Sequence, residues 1–322
     1  MIKILLLFLL SIIFGGILFF YVGNIIGFDF ILNSFKVFLS LEGLIIIALS
    51  FLIAYLGALR WKKILGNEKV SNKEIFKIYI GGFSLMYFFP MALLGSEFFR
   101  ASLLKHKGVK WENALASVFI ERVVEWTVNI IVILIGVLYF FYAIQIPSQK
   151  FAMLFAGLIL FALLILSFIY FYVFKKKSFL RKVLHKEESL VLKVEKIVFN
   201  FFRLSNIDLW RSYFYSILKV LAMLLRVWLI ILFLGKILLL NESFSILSFS
   251  FLSTLIPVPA ALGVQELLQV FVFENLNISL MMSSMFSMLL RAGDVIVSVL
   301  GFVLFFKVIY DFLKRKFCKN EK

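Results

Sequence analysis

Four side chains that stay charged at neutral pH lie inside stretches otherwise built for hydrocarbon: Arg122, Lys219, Arg226 and Arg291. A charge in such surroundings is costly, so it faces a partner or a wet cavity. Two of these arginines have an acid three residues on, Arg122 before Glu125 and Arg291 before Asp294. On a helix that spacing puts both groups on one face. Two further acids, Glu97 and Glu266, stand just past the glycine that follows a proline, near the start of a half-helix. Exposed backbone N–H groups at such a start favour anions.

Together these residues suit a polar cavity with two arginines and two pairs of acids. Its guanidinium groups can hold a phosphate headgroup while the acids exchange partners or protons. The competing reading is structural, with Glu97–Arg122 and Glu266–Arg291 as buried ion pairs that pin one element to another. Glu121, beside Arg122, joins the secondary candidates. Arg226 lines the same cavity, snorkels or pairs with an acid. Arg100 meets phosphates at the cytoplasmic mouth or is an ordinary residue of a positive loop. Arg60-Trp61-Lys62-Lys63 reads as an interfacial anchor.

Other chemistry finds little support. His106 and His185 sit among lysines, and Cys318 is the one cysteine, in a basic tail. We find no triad, metal constellation, activated nucleophile or nucleotide-binding motif. The expectation is a non-enzyme with neither metal nor cofactor.

The elements that must position these residues follow from composition. Of 322 residues 63% are hydrophobic, 41 of them Phe, more apolar surface than a soluble core needs. Uncharged runs at 4–23, 43–59, 126–144 and 151–174 approach or pass the ~20 residues that span a bilayer. The run at 4–23 follows Lys3 and has no small-residue cleavage site, so an uncleaved first helix is expected. Runs at 212–235 and 278–306 are as long but carry charges. Two segments look broken: 75–104, with Pro90 and Gly95, and 244–273, with Pro257, Pro259 and Gly263. Each is too long for one straight span and too short for two. A re-entrant hairpin of two half-helices fits, and it survives at membrane depth only when shielded by protein or lining a wet cavity.

The net charge of +16 points to cytoplasmic loops rather than nucleic acid. With both termini in the cytoplasm, 27 of the 34 basic residues lie inside, three outside and four within helices. The first hairpin then enters from the cytoplasmic side and the second from outside. Residues 175–211 alternate charged and apolar positions, as a basic amphipathic connection on the inner leaflet does.

A self-match at an offset of 169 residues aligns Pro90 with Pro259, Glu97 with Glu266, Arg122 with Arg291 and Glu125 with Asp294. The fold expected is an all-α polytopic membrane protein forming a single transmembrane domain. About six spanning helices and two re-entrant hairpins make an inverted-topology repeat, units 1–145 and 151–310. Inverted repeats with broken helices are a transporter architecture.

PMALLGSEFFRASLLKHKG, followed by ALASVFIERVVE, resembles the first signature of the lysylphosphatidylglycerol synthase transmembrane family, and IPVPAALGVQE with LLRAGD resembles the second. Glu125 stands where the family usually has Asp, and Ala260-Ala261 where glycines are common. The resemblance implies a flippase-like domain that moves a phospholipid or lipid-linked headgroup across the cytoplasmic membrane. The chain ends at Lys322, so the synthase activity of two-domain relatives is not carried over. Partners expected are anionic or zwitterionic membrane lipids, a lipid-modifying enzyme, and no nucleic acid. The alternatives are a membrane-embedded glycosyl or acyl transferase, or an accessory component of one.

Overall fold

In the computed structural model, residues 35–66, 68–88, 93–143, 149–175, 189–256, 258 and 261–319 are described. The expected first span at 4–23 and the hinge prolines Pro90, Pro257 and Pro259 lie outside them. The described residues form a short 3-10 turn, Phe35–Leu39, and ten α-helices: α1 Leu41–Leu65, α2 Asn72–Phe88, α3 Leu93–His106, α4 Trp111–Ala143, α5 Gln149–Lys175, α6 Leu190–Phe201, α7 Ile207–Phe233, α8 Leu240–Ser253, α9 Val264–Asn275 and α10 Leu280–Lys319. The protein is an all-α polytopic membrane protein. Among the described residues, five helices are long and apolar enough to cross a bilayer: α1, α4, α5, α7 and α10.

The two broken segments are helix pairs. At 1.5 Å per residue, α2, α3, α8 and α9 are each about 18–26 Å long, short of the ~30 Å hydrocarbon core. Beyond the end of α3, Lys107 pairs with Glu74 in the first turn of α2, so the open end of the first pair is closed by a salt bridge. The chain leading into this pair lies beside the start of α4, where Asn113 donates to Glu68 at 2.8 Å. The start of the second pair lies at the other end of α4, where Asn241 donates to the Tyr139 hydroxyl at 2.8 Å. Asn113 and Tyr139 are about 39 Å apart along the helix.

Shifted by 169 residues, the starts of α1 to α4 fall within about three residues of those of α7 to α10. The packing is exchanged between the two sets. Helix α2 packs on α10, and its counterpart α8 packs on α4, while α1 and α7 pack on each other. Close approach at these crossings needs small residues. A methyl group added at Gly301 on α10 would collide with Ser84 Oγ and Ile80 Cγ2 and lie 2.5 Å from the Ile80 carbonyl oxygen on α2. We expect Gly301→Ala to cost about 1–3 kcal/mol, seen as a lower Tm in detergent. Gly157→Ala on α5, with open space around it, should not lower it.

The largest apolar core joins α4, α5, α7, α8, α9 and α10. Phe140 meets Phe249 edge-on with ring centroids 5.0 Å apart, and Phe155 and Phe271 stack around them. Within the basic connection, Asn206 caps α7 by accepting from the Asp208 N–H. Helix α6 packs on α4 and buries Val198 and Phe201. Its Glu195 is also buried and accepts from the Tyr172 hydroxyl.

Candidate functional site

Helix α4 carries Glu121, Arg122 and Glu125 on consecutive turns, eight to twelve residues past Asn113 and so about 12–18 Å inward. Three other elements bring charges to them. Glu121, 0% exposed, lies between Arg60 of α1, with which it pairs, and Arg100 of α3, whose Nη1 is 3.0 Å from Oε2. The Arg100 guanidinium stacks over the Trp61 ring at 4.0 Å and approaches Tyr79 at 5.1 Å. Gly82 of α2 leaves room for its side chain. Glu125 is shared by three cations: Arg122 Nη1 at 2.9 Å, Arg60 Nη2 at 3.1 Å and Lys219 Nζ of α7 at 2.5 Å. Arg122 also donates through Nε to Glu97 and through Nη2 to Met86 Sδ at 3.1 Å.

The second group is sparser. Glu266 is the third residue of α9, and its Oε2 accepts from the Gly263 N–H at 2.8 Å, capping its own helix. Its Oε1 is 2.6 Å from Arg291 Nη2 on α10. Gly263 has φ 76°, a left-handed conformation that glycine adopts without strain. Asp294 is 2.7 Å from Arg226 Nη1 of α7, and the same nitrogen donates to Ser50 Oγ of α1 at 2.9 Å. Gly293 lets Ser50 and Arg226 approach α10.

All six principal candidates, Glu97, Arg122, Glu125, Glu266, Arg291 and Asp294, are thus ion-paired, in two groups. The expected pairs Glu97–Arg122, Arg122–Glu125 and Glu266–Arg291 are present. The expected repetition of Arg122–Glu125 by Arg291–Asp294 is not: Asp294 takes Arg226, because Arg291 reaches across to α9. Arg226 is therefore an acid's partner and not a snorkelling residue. Arg100 is no positive-loop residue, since it is 2% exposed beneath Trp61 and Tyr79. The interfacial-anchor reading of Arg60-Trp61 is also corrected. Trp61 is fully buried and donates to Ser117 Oγ, and Arg60 holds two carboxylates. Gly95 lies in the first turn of α3, two residues before Glu97.

Sequence reasoning missed Arg60 and Lys219 as members of the network. Charge balance could have found them. Three acids, Glu97, Glu121 and Glu125, cannot stay buried with Arg122 alone.

Several buried nitrogens have no acceptor among the described residues: Nε and Nη1 of Arg291, Nε of Arg226, Nε of Arg60, and Nε and Nη2 of Arg100. Such groups are rare in folded proteins, and each asks for an explanation.

The sequence model of one protein family, described as Lysylphosphatidylglycerol synthase TM region, matches residues 4–301. No curated protein and no solved structure matches the chain.

Proposed function

The chain belongs to the lysylphosphatidylglycerol synthase transmembrane family, and from that premise we propose that it translocates a phospholipid or lipid-linked headgroup across the cytoplasmic membrane without altering it chemically. The observation that carries this reading is the pair of charged groups set within the lengths of the apolar helices, around the α1–α7 crossing. Charges at that depth suit a headgroup that crosses through protein while its acyl chains stay in lipid. The two short helix pairs, one begun at each end of α4, supply two gates that can alternate around such a site.

The deciding assay places purified protein in liposomes with headgroup-labelled lipids and an external quencher. Transfer should exceed that of protein-free vesicles and fall in an Arg122→Ala, Arg291→Ala variant. Conversion of one lipid into another with no transfer would make the protein an enzyme. Neither transfer nor conversion, with co-purification of a lipid-modifying enzyme, would make it an accessory subunit.

The proposal carries an orientation, with both termini and the first pair's open end in the cytoplasm. In a Cys318→Ser background, Asn72→Cys and Lys110→Cys should be labelled only from the cytoplasm. Lys236→Cys and Ser279→Cys should be labelled only from outside. Labelling of Asn72→Cys and Lys110→Cys from opposite faces would turn the first pair into a complete crossing and remove the two-gate scheme.

A further inference from the structure

The two charged groups differ in their balance. The second is matched two against two, Arg226 with Asp294 and Arg291 with Glu266. The first holds four cations, Arg60, Arg100, Arg122 and Lys219, against three carboxylates, Glu97, Glu121 and Glu125. One positive charge is left over between apolar helices, where an uncompensated charge is costly. The crowding shows at Glu125, whose Oε1 is approached by Arg60 Nη2 at 3.1 Å and by Lys219 Nζ at 2.5 Å. Two cations from different helices thus share a single oxygen.

Among the described residues no other acid is placed to supply the missing charge. Glu68 takes Asn113, Glu74 pairs with Lys107, and Glu242 caps α8. Glu42 and Glu112 stand in the first turns of α1 and α4, and Glu274 in the last turn of α9. Glu195 takes the Tyr172 hydroxyl, and Asp208 pairs with Arg211. Unmade bonds mark the same place independently. Arg60 directs Nη1 to Ser216 and Nη2 to Glu121, and its Nε is buried with no acceptor among the described residues. Arg100 directs Nη1 to Glu121, and its Nε and Nη2 have none. Buried donors without acceptors are rare, and here they coincide with a surplus positive charge. Arg60 and Arg100 are 1% and 2% exposed, so whatever completes them is small. The rim that admits it is formed by Arg122, Glu97 and Lys219, whose side chains are 22%, 18% and 14% exposed. One negative charge closes the balance, and a doubly charged ion overshoots it.

We propose that the first group is completed by a small monovalent anion of the chloride class, held among Arg60, Arg100 and Lys219 as a resident part of the network. It supplies the acceptor that the unengaged guanidinium nitrogens lack, and the negative charge that the three carboxylates leave short. It joins α1, α3 and α7 beside the carboxylates of α4. The ion is distinct from any lipid headgroup, and the inference holds or fails whether or not the protein moves lipid.

The test compares the Tm of the purified full chain in detergent, in sodium chloride and in sodium gluconate, at one ionic strength so that screening is matched. Chloride, bromide and nitrate should each raise Tm by about 2–4 °C over gluconate and should saturate, as a ligand of the folded state does. Sulfate should not. Radioactive chloride should bind the protein and be displaced by unlabelled bromide. Lys219→Met leaves three cations against three carboxylates, and it should fold, lose the anion dependence and bind no chloride. Lys219→Arg keeps the charge and should keep both. A triple variant, Arg60→Leu, Arg100→Gln, Glu121→Leu, leaves two against two and should also bind none. Lys193→Met removes an exposed cation from α6 and should change neither property.

Equal Tm in chloride and gluconate, or no bound chloride, overturns the assignment. So does chloride binding that survives Lys219→Met. If that variant does not fold, the triple variant decides in the same way, and chloride retained by it overturns the site. Loss of the anion dependence in Lys193→Met would mean ions held at the basic surface and would sink the buried site. Displacement of the bound chloride by phosphatidylglycerol at an equal concentration would make this a headgroup seat and end the small-anion reading.

Discussion

Replacing Glu121 with alanine is expected to cost about 3–5 kcal/mol, as breaking a buried pair does when a charge is left alone. Here two charges are left, because Arg60 and Arg100 both donate to this one carboxylate. Arg60 keeps its contact with Glu125, and Arg100 keeps only a 3.7 Å approach to Glu97. The loss should appear as a large fall in Tm and in the yield of folded protein. The protein's second half contains the control. Residues equivalent to Arg60, Glu121 and Arg100 at the 169-residue offset are Leu229, Leu290 and Gln269. A triple variant, Arg60→Leu, Glu121→Leu, Arg100→Gln, removes the charges together and should recover most of the stability lost by Glu121→Ala. Apolar replacement of a complete buried network is often neutral or better. A triple variant less stable than Glu121→Ala would mean that the network does more than balance itself.

Glu125→Gln should have an effect at least as large, and it should reach function as well as folding. Glu125 receives Arg60, Arg122 and Lys219 from three helices, so its neutralisation leaves three cations facing one another. Helices α1 and α7, which pack on each other, lose the anion that draws them both to α4. We expect a destabilisation of about 3–5 kcal/mol and a collapse of lipid transfer in liposomes. Adding Lys219→Met removes one stranded charge and should restore part of the Tm. The coupling between the two sites, read from a double-mutant cycle, should be of order 0.5–3 kcal/mol. Additivity would show that Lys219 and Glu125 do not depend on each other.

The helices were legible because hydrocarbon length and broken segments leave marks in a single sequence. The apolar runs at 126–144 and 151–174 became parts of Trp111–Ala143 and Gln149–Lys175, and both broken segments became helix pairs. The pairing Glu97–Arg122 was legible too, because an acid and a base in apolar surroundings must find each other. Arg60 was not. It lies at the basic end of an apolar run, where an anchor is the ordinary explanation, and its partner Glu121 is 61 residues away. Lys219 is farther still from Glu125, 94 residues, and reaches it only because α7 packs beside α1. Asp294 misled for the opposite reason. A neighbour three residues away offered a local partner, and the tertiary arrangement supplied Arg226 instead.

The exchange of α2 and α8 between the two sets of helices bears on how the chain is made. Ile80 on α2 packs against Gly301 on α10, 221 residues later in the chain. At 5–20 residues per second, α2 waits roughly 10–45 s for its partner to leave the ribosome. It is too short to rest as a complete crossing in the meantime. Late assembly of this kind makes each half dependent on the other. Fragments 1–147 and 148–322, each expressed alone, should be degraded, and the two expressed together should associate into a protein that behaves as one.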